Sequence, residues 1–174
     1  SSGEVVPAYI SGVKKGEKGA PGELQGSFLS SVPSGMLYLN NETGVYGTLG
    51  SSPSQNEAIP LCFRQDVEEG PAQVLVTVDG QGPRLYDIVI EEVNLGDNTP
   101  TKNMVLHVTD PELLEATGGI VQGMSGSPVI QNGRLAGAVT HVFVNDPTRG
   151  YGIFAENMLD NCEKIQNIVE NDRD

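Results

Sequence analysis

Apolar and polar residues alternate in short runs along most of this chain, the period of two that marks half-buried strands. Such runs cover Val5–Val13, the segments "LQGSFLS" and "GMLYLNNETGVYGTLG", and "IPLCFR" at Ile59–Arg64. The second segment predicts a hairpin, with Asn40, Asn41 and Gly44 able to take positive φ. Gln73–Asp79 and Arg84–Val93, rich in Val and Ile and joined through "DGQG", form the clearest hairpin. "KNMVLHVT" is a further strand, and Asp110-Pro111 then sets an N-cap before proline at the first position of a short helix, "ELLEA". "SPVIQNGRLAGAVTHVFV" reads as two strands about Asn132-Gly133, a type I′ signal, and "RGYGIF" as a last strand. The period lengthens only from Glu156, where Leu159, Cys162, Ile165, Ile168 and Val169 share one face of a 3.6-residue helix. The pattern is all-β with a short inner helix and a C-terminal α-helix. A sandwich and a pair of barrels both satisfy it.

Composition narrows the class. The 174 residues suit one domain, and 37% hydrophobic content suffices for a core. The 22 glycines and 11 prolines fit short strands and tight turns better than helices. A net charge of −13 argues against nucleic acid, which is bound by excess Lys and Arg; it is read as solubility, and leaves basic substrates or partners open. No apolar run approaches the roughly 20 residues needed to span a bilayer. The start, "SSGEVVPAY", has no signal-peptide pattern and reads as the middle of a strand, as in a piece of something larger. "KKGEKGAPGE" at Lys14–Glu23 is either an ordered loop or a crossing between subdomains. Cys62 and Cys162 have no metal spacing and are expected as free thiols, with a disulfide only in an oxidising compartment.

The candidate chemistry lies in "TGGIVQGMSGSPVIQNGRLAGAVTHVF", Thr117–Phe143. A serine hydroxyl is a weak nucleophile and needs exposure on a rigid turn beside a base. The developing oxyanion needs backbone N–H donors, and a glycine two positions before the serine lets the chain present them. Ser125 is therefore the candidate nucleophile, with the amides of Gly123 and Ser125 as the oxyanion hole. A "G-x-S-G-x-P" turn leading into a strand is the pattern of chymotrypsin-like serine proteases, whereas the α/β-hydrolase elbow places a strand before the serine and a helix after it. The alternative is a plain Gly-Ser-Pro turn between strands. Ser127 lacks a glycine at the oxyanion position and ranks below Ser125.

Two histidines are available, and both lie in strand patterns. His141 falls 16 residues after Ser125 on the strand following the Asn-Gly turn, where chymotrypsin-like enzymes border their substrate pocket; it is read as a pocket wall in preference to a base, and His107 ranks lower still. Asp110 reads as an N-cap by sequence alone, or as a triad acid that would orient an imidazole. Asp146 reads as a turn residue.

The stretch "VTDPELLEATGGIVQGMSGSPVIQNGRLAGAVTHVFVNDPTRGYGIF", Val108–Phe154, closely resembles the stage IV sporulation protein B peptidase family of endospore-forming bacteria, and the resemblance extends upstream through "KGEKGAPGE", "GVYGTL" and "EEGPAQVLVTV". It implies a chymotrypsin-like double β-barrel with Ser125 as nucleophile and Asp110 as triad acid. It divides the chain into 1–100, the remainder of a truncated first barrel and its connection; 101–155, the nucleophile-bearing strands; and 156–174, the C-terminal helix and tail. The family's histidine stands in a "G-A-L-G-H" motif. This chain has none: "YGTLGSS" at Tyr46–Ser52 carries Ser51 where the histidine would be, and the chain is expected to begin after that motif, as a trimmed piece or a self-cleavage product.

The resemblance further implies a sporulation signalling protease, anchored in the membrane in its parent form and acting between the two forespore membranes. It would cleave a membrane-bound regulatory protein and also itself, with no metal or organic cofactor. This chain alone would be inactive for want of the imidazole. The other reading is a non-catalytic peptide-binding module on the same fold, taking a peptide as an added strand.

Overall fold

In the computed structural model, which describes residues 3–96 and 98–171, six strands close into one antiparallel barrel and the N-terminal strands form two small sheets beside it. The barrel strands are β6 (Gly70–Val76), β7 (Arg84–Val93), β8 (Met104–Val108), β9 (Pro128–Gln131), β10 (Arg134–Phe143) and β11 (Asp146–Phe154), in the order β10-β11-β8-β7-β6-β9. β1 (Gly3–Val5), β4 (Gly35–Asn41) and β5 (Gly44–Leu49) make a three-stranded sheet, and β2 (Ala8–Lys14) pairs with β3 (Glu23–Phe28). Only the barrel that carries the serine turn is closed, and the N-terminal strands remain open sheets. β6 and β7, grouped with the first half of the chain in the sequence reading, hydrogen-bond into that barrel.

Alternation explains the closure. Val74 and Val76 on β6, Tyr86, Ile88 and Ile90 on β7, and Met104, Leu106 and Val108 on β8 all point inward and are buried. Each such side chain stabilises the fold by roughly 1.5–3 kcal/mol relative to its exposed state. Helix α1 (Pro111–Thr117) covers one end with Leu113, which is fully buried. The Asn132-Gly133 turn takes φ of 51° and 72°, the left-handed pair a type I′ hairpin requires.

Three expectations are corrected. The run Val5–Val13 is not one strand: Pro7, with no N–H to donate, separates β1 from β2. Ile59–Arg64 is not a strand either. Pro60 interrupts it, a single parallel bridge links Leu61 to Leu135, and a 3₁₀ turn begins at Arg64. In the β4–β5 turn Gly44 takes φ 144°, but Asn40 and Asn41 do not take positive φ. Asn41 instead accepts from the Thr43 amide (2.9 Å) and hydroxyl (2.7 Å), closing the turn with its side chain.

Helix α2 (Ala155–Asn171) lies against β5, β10 and β11. Two polar networks fix it. Buried Asn103 accepts from the Phe154 amide and from Asn157 Nδ2, tying the helix start to β8. Buried Asn161 donates to Thr43 Oγ1 (3.0 Å) and accepts from Asn41 Nδ2 (3.0 Å), tying the β4–β5 turn to the helix. Of the apolar face read from the sequence, Ile165 is buried, whereas Leu159, Cys162 and Ile168 are exposed. Cys62 is buried as a free thiol, and burial pushes its pKa up.

Candidate active site

The turn carrying Ser125 is held from three sides. From below, Gly126 N donates to Val139 O (2.8 Å) and Val139 N to Ser127 O (3.0 Å), which moors the turn to β10. From the N-terminal half, the β2–β3 loop clamps the residues before it: Gln122 N donates to Gly22 O (2.9 Å), Leu24 N to Gln122 O (2.8 Å), and Gly16 N to Thr117 O (2.9 Å). Lys14–Glu23 is thus an ordered loop. From the far hairpin, Ile120 N donates to Pro147 O (2.7 Å).

Glycine is required here by conformation and by space. Gly119 has φ 134°, and a Cβ there would overlap the Pro147 carbonyl. Gly119→Ala is expected to cost about 3 kcal/mol or more, the sum of left-handed strain and overpacking. Chemical denaturation of the two chains checks this; a loss below about 1 kcal/mol would show that the turn is softer than its contacts imply. Gly123 has φ 98° and packs its α-carbon side against Leu24 of β3.

This geometry leaves specific groups free. Met124 N donates to Val121 O and Ser127 N to Met124 O, so both are spent inside the turn. The amides of Gly123 and Ser125 bond no acceptor among the described residues, and both residues are exposed. They are the pair the sequence singled out for an oxyanion. The Ser125 hydroxyl is exposed and donates to Thr140 O at 3.2 Å. Ser127 is half-buried at the entry to β9, with both main-chain groups engaged.

Ser125 opens onto a cleft of about 520 Å³. One wall is β10, with Val139, Thr140 and the exposed His141; the opposite wall is the β4–β5 turn from Asn41 to Val45; Met158 of α2 lies between them. His141 and Ser125 therefore share one cleft, with the imidazole set edge-on to Tyr151. β9 pairs with β10 only up to Ala138↔Pro128. Beyond the serine turn, the same edge of β10 has no strand beside it among the described residues, which leaves room for an extended peptide next to Ser125.

The other candidates lie apart. Asp110 sits at the end of β8, outside the set of residues lining the cleft. One of its oxygens caps α1 by accepting from Glu112 N (2.9 Å), and the other accepts from Asp87 N (3.0 Å). His107, across the barrel surface, pairs through Nδ1 with Glu91 (2.7 Å), which also holds Arg149. Asp146 closes the β10–β11 turn; hydrogen bonds from the Thr148 hydroxyl and amide hold its carboxyl below the usual carboxylate range. Among the described residues, no cluster of His, Cys, Asp and Glu could hold a metal ion, and no helix is long and apolar enough to cross a membrane.

Thr140 and the Asn41–Val45 wall escaped the sequence reading. Thr140 acts through its backbone carbonyl, which carries no residue-type signal. The wall depends on Asn161, more than a hundred residues away, holding the β4–β5 turn against α2. A model of the family described as SpoIVB peptidase S55 matches residues 1–159 of the chain. No curated protein and no solved structure matches it.

Proposed function

The chain therefore belongs to the SpoIVB peptidase S55 family, a family of serine peptidases, and from that premise we propose that it carries the nucleophile half of a serine endopeptidase site centred on Ser125. The observation that carries this reading is the exposed hydroxyl between two uncommitted amides, at the mouth of a cleft with an open strand edge. A polypeptide laid along β10 brings a scissile carbonyl to Ser125 Oγ. The hydroxyl adds to the carbonyl carbon, its proton passing to a base. The oxyanion forms against the amides of Gly123 and Ser125. The tetrahedral adduct then expels the amine, which takes up the base's proton, and water hydrolyses the acyl-enzyme. In this scheme the base is the imidazole of the family's "G-A-L-G-H" motif, which Asp110 would orient, and His141 forms part of the pocket wall.

The substrate class is a polypeptide. The finer reading is a membrane-bound regulatory protein, cleaved between the forespore membranes, with self-cleavage as a second reaction of the same site. In the 174-residue chain Ser125 Oγ donates to a backbone carbonyl, and no imidazole is bonded to it. We expect this chain alone to hydrolyse an unstructured polypeptide such as casein no faster than its Ser125→Ala variant, and added imidazole at neutral pH to raise the rate of the unmutated chain only. Serine-dependent turnover without imidazole would identify a base within the chain, and His141, which shares the cleft, would be tested by His141→Ala.

One observation favours the second reading, a peptide-binding module without catalysis: both Asp110 oxygens are engaged by backbone amides, away from the cleft. The Asp110 variant discussed below separates the two.

A further inference from the structure

A second depression, of about 550 Å³, runs between β5 and α2. β5 is the terminal strand of its sheet, paired by β4 on one edge and, among the described residues, by no strand on the other. Its residues Gly47 and Thr48 face the depression. The floor is apolar, with Leu159, Ile165 and Val169 of α2, and Leu159 is 42% exposed. That exposure leaves part of the helix's apolar face uncovered among the described residues. The rim carries the carboxylates of Glu163 and Glu170, and no Lys or Arg among the described residues lines the groove. It adjoins the cleft along the chain. Val45 and Met158 line the cleft, and the next residues along each element, Tyr46 and Leu159, line the groove.

We propose that this groove docks an extended polypeptide segment in which basic and apolar side chains alternate. A free strand edge supplies main-chain hydrogen bonds to any extended chain, and side chains of period two then select among sequences. Here apolar side chains meet Leu159, Ile165 and Val169, and basic ones meet Glu163 and Glu170. Charge excludes the other occupants: a second copy of this chain carries a net −13, and an anionic bilayer is repelled by the same rim. Tyr46, Gly47 and Thr48 of the six-residue β5 line the groove, about 10 Å of strand, which an extended segment of eight residues more than spans. Groove and cleft are both built on β5 and α2. The docking itself does not require that Ser125 cleave anything.

The probe is a fluorescein-labelled octapeptide alternating lysine and valine, titrated with the 174-residue chain and read by anisotropy. Saturable binding is expected, weakening at least fivefold between ~0.05 and ~0.5 M salt as the rim charges are screened. The matching glutamate–valine peptide is expected not to bind. The double variant Glu163→Lys, Glu170→Lys should lose about tenfold or more for the lysine peptide, as two exposed charge pairs are reversed, and gain the glutamate peptide. Both side chains are exposed, so the variant keeps the fold, which its thermal melt by circular dichroism verifies. Cys162, exposed in the groove, provides an independent reading: the lysine peptide should slow its alkylation by maleimide, while buried Cys62 stays unreactive. No binding of the lysine peptide, equal binding by the folded double variant, or unchanged alkylation of Cys162 would each overturn the proposal.

Discussion

Ser125→Ala is expected to lower kcat/KM by about 10⁵–10⁶-fold in a preparation of the peptidase that turns over polypeptide, because the acyl bond forms on its hydroxyl. The residual rate would come from the oxyanion amides and substrate binding, which survive the substitution. Folding should be untouched: the hydroxyl is exposed, and its single bond, to Thr140 O, holds no element in place. Ser127→Ala in the same preparation should change the rate by no more than a few fold, since Ser127 is held by its main chain and sits at the strand entry. Steady-state kinetics on one fluorogenic peptide decides between them. A loss under about tenfold for Ser125→Ala, or a larger loss for Ser127→Ala, removes the nucleophile assignment.

Asp110→Asn is expected to separate two roles of one carboxylate. As a cap, asparagine serves nearly as well as aspartate, so the bond from Glu112 N survives. The second bond does not, because the amide NH₂ cannot accept from Asp87 N. Asp87 is exposed, so water takes over that amide, and the cost should be about 1 kcal/mol, or roughly 2–4 °C in Tm for a domain of this size. As the orienting acid, the same residue controls the tautomer of the base, and its amide should cost about 10⁴-fold in kcat. A variant that melts within a few degrees of the parent yet has lost four orders of magnitude in rate supports the triad role. One that keeps its rate leaves Asp110 as a helix cap only, and the acid must be sought elsewhere.

Most strands were legible because their burial is one-sided. Val74 and Val76, or Ile88 and Ile90, are buried and alternate with less buried neighbours, and that alternation survives in the barrel. The serine turn was legible through its glycines, and Gly123 and Gly126 both take positive φ. Closure was not legible. That β6 and β7 join the serine-bearing strands, while β4 and β5 stand outside, depends on pairings such as Val74↔Val129 that no local pattern encodes. Ile59–Arg64 had strand composition, but Pro60 limits it to a single bridge from Leu61 to Leu135 of β10. The helix face differs in the opposite sense: Leu159 and Ile168 have core spacing, yet Leu159 meets a groove and Ile168 is exposed.

The clamp from the β2–β3 loop has a mechanical corollary. Gly16, Gly22 and Leu24 grip the chain at Thr117 and Gln122, so the stiffness of the serine bend is borrowed from a hairpin outside the closed barrel. Severing the backbone anywhere between Lys14 and Glu23 would release that grip while the six staves stay joined, leaving a domain that is still folded but can no longer aim its two donors.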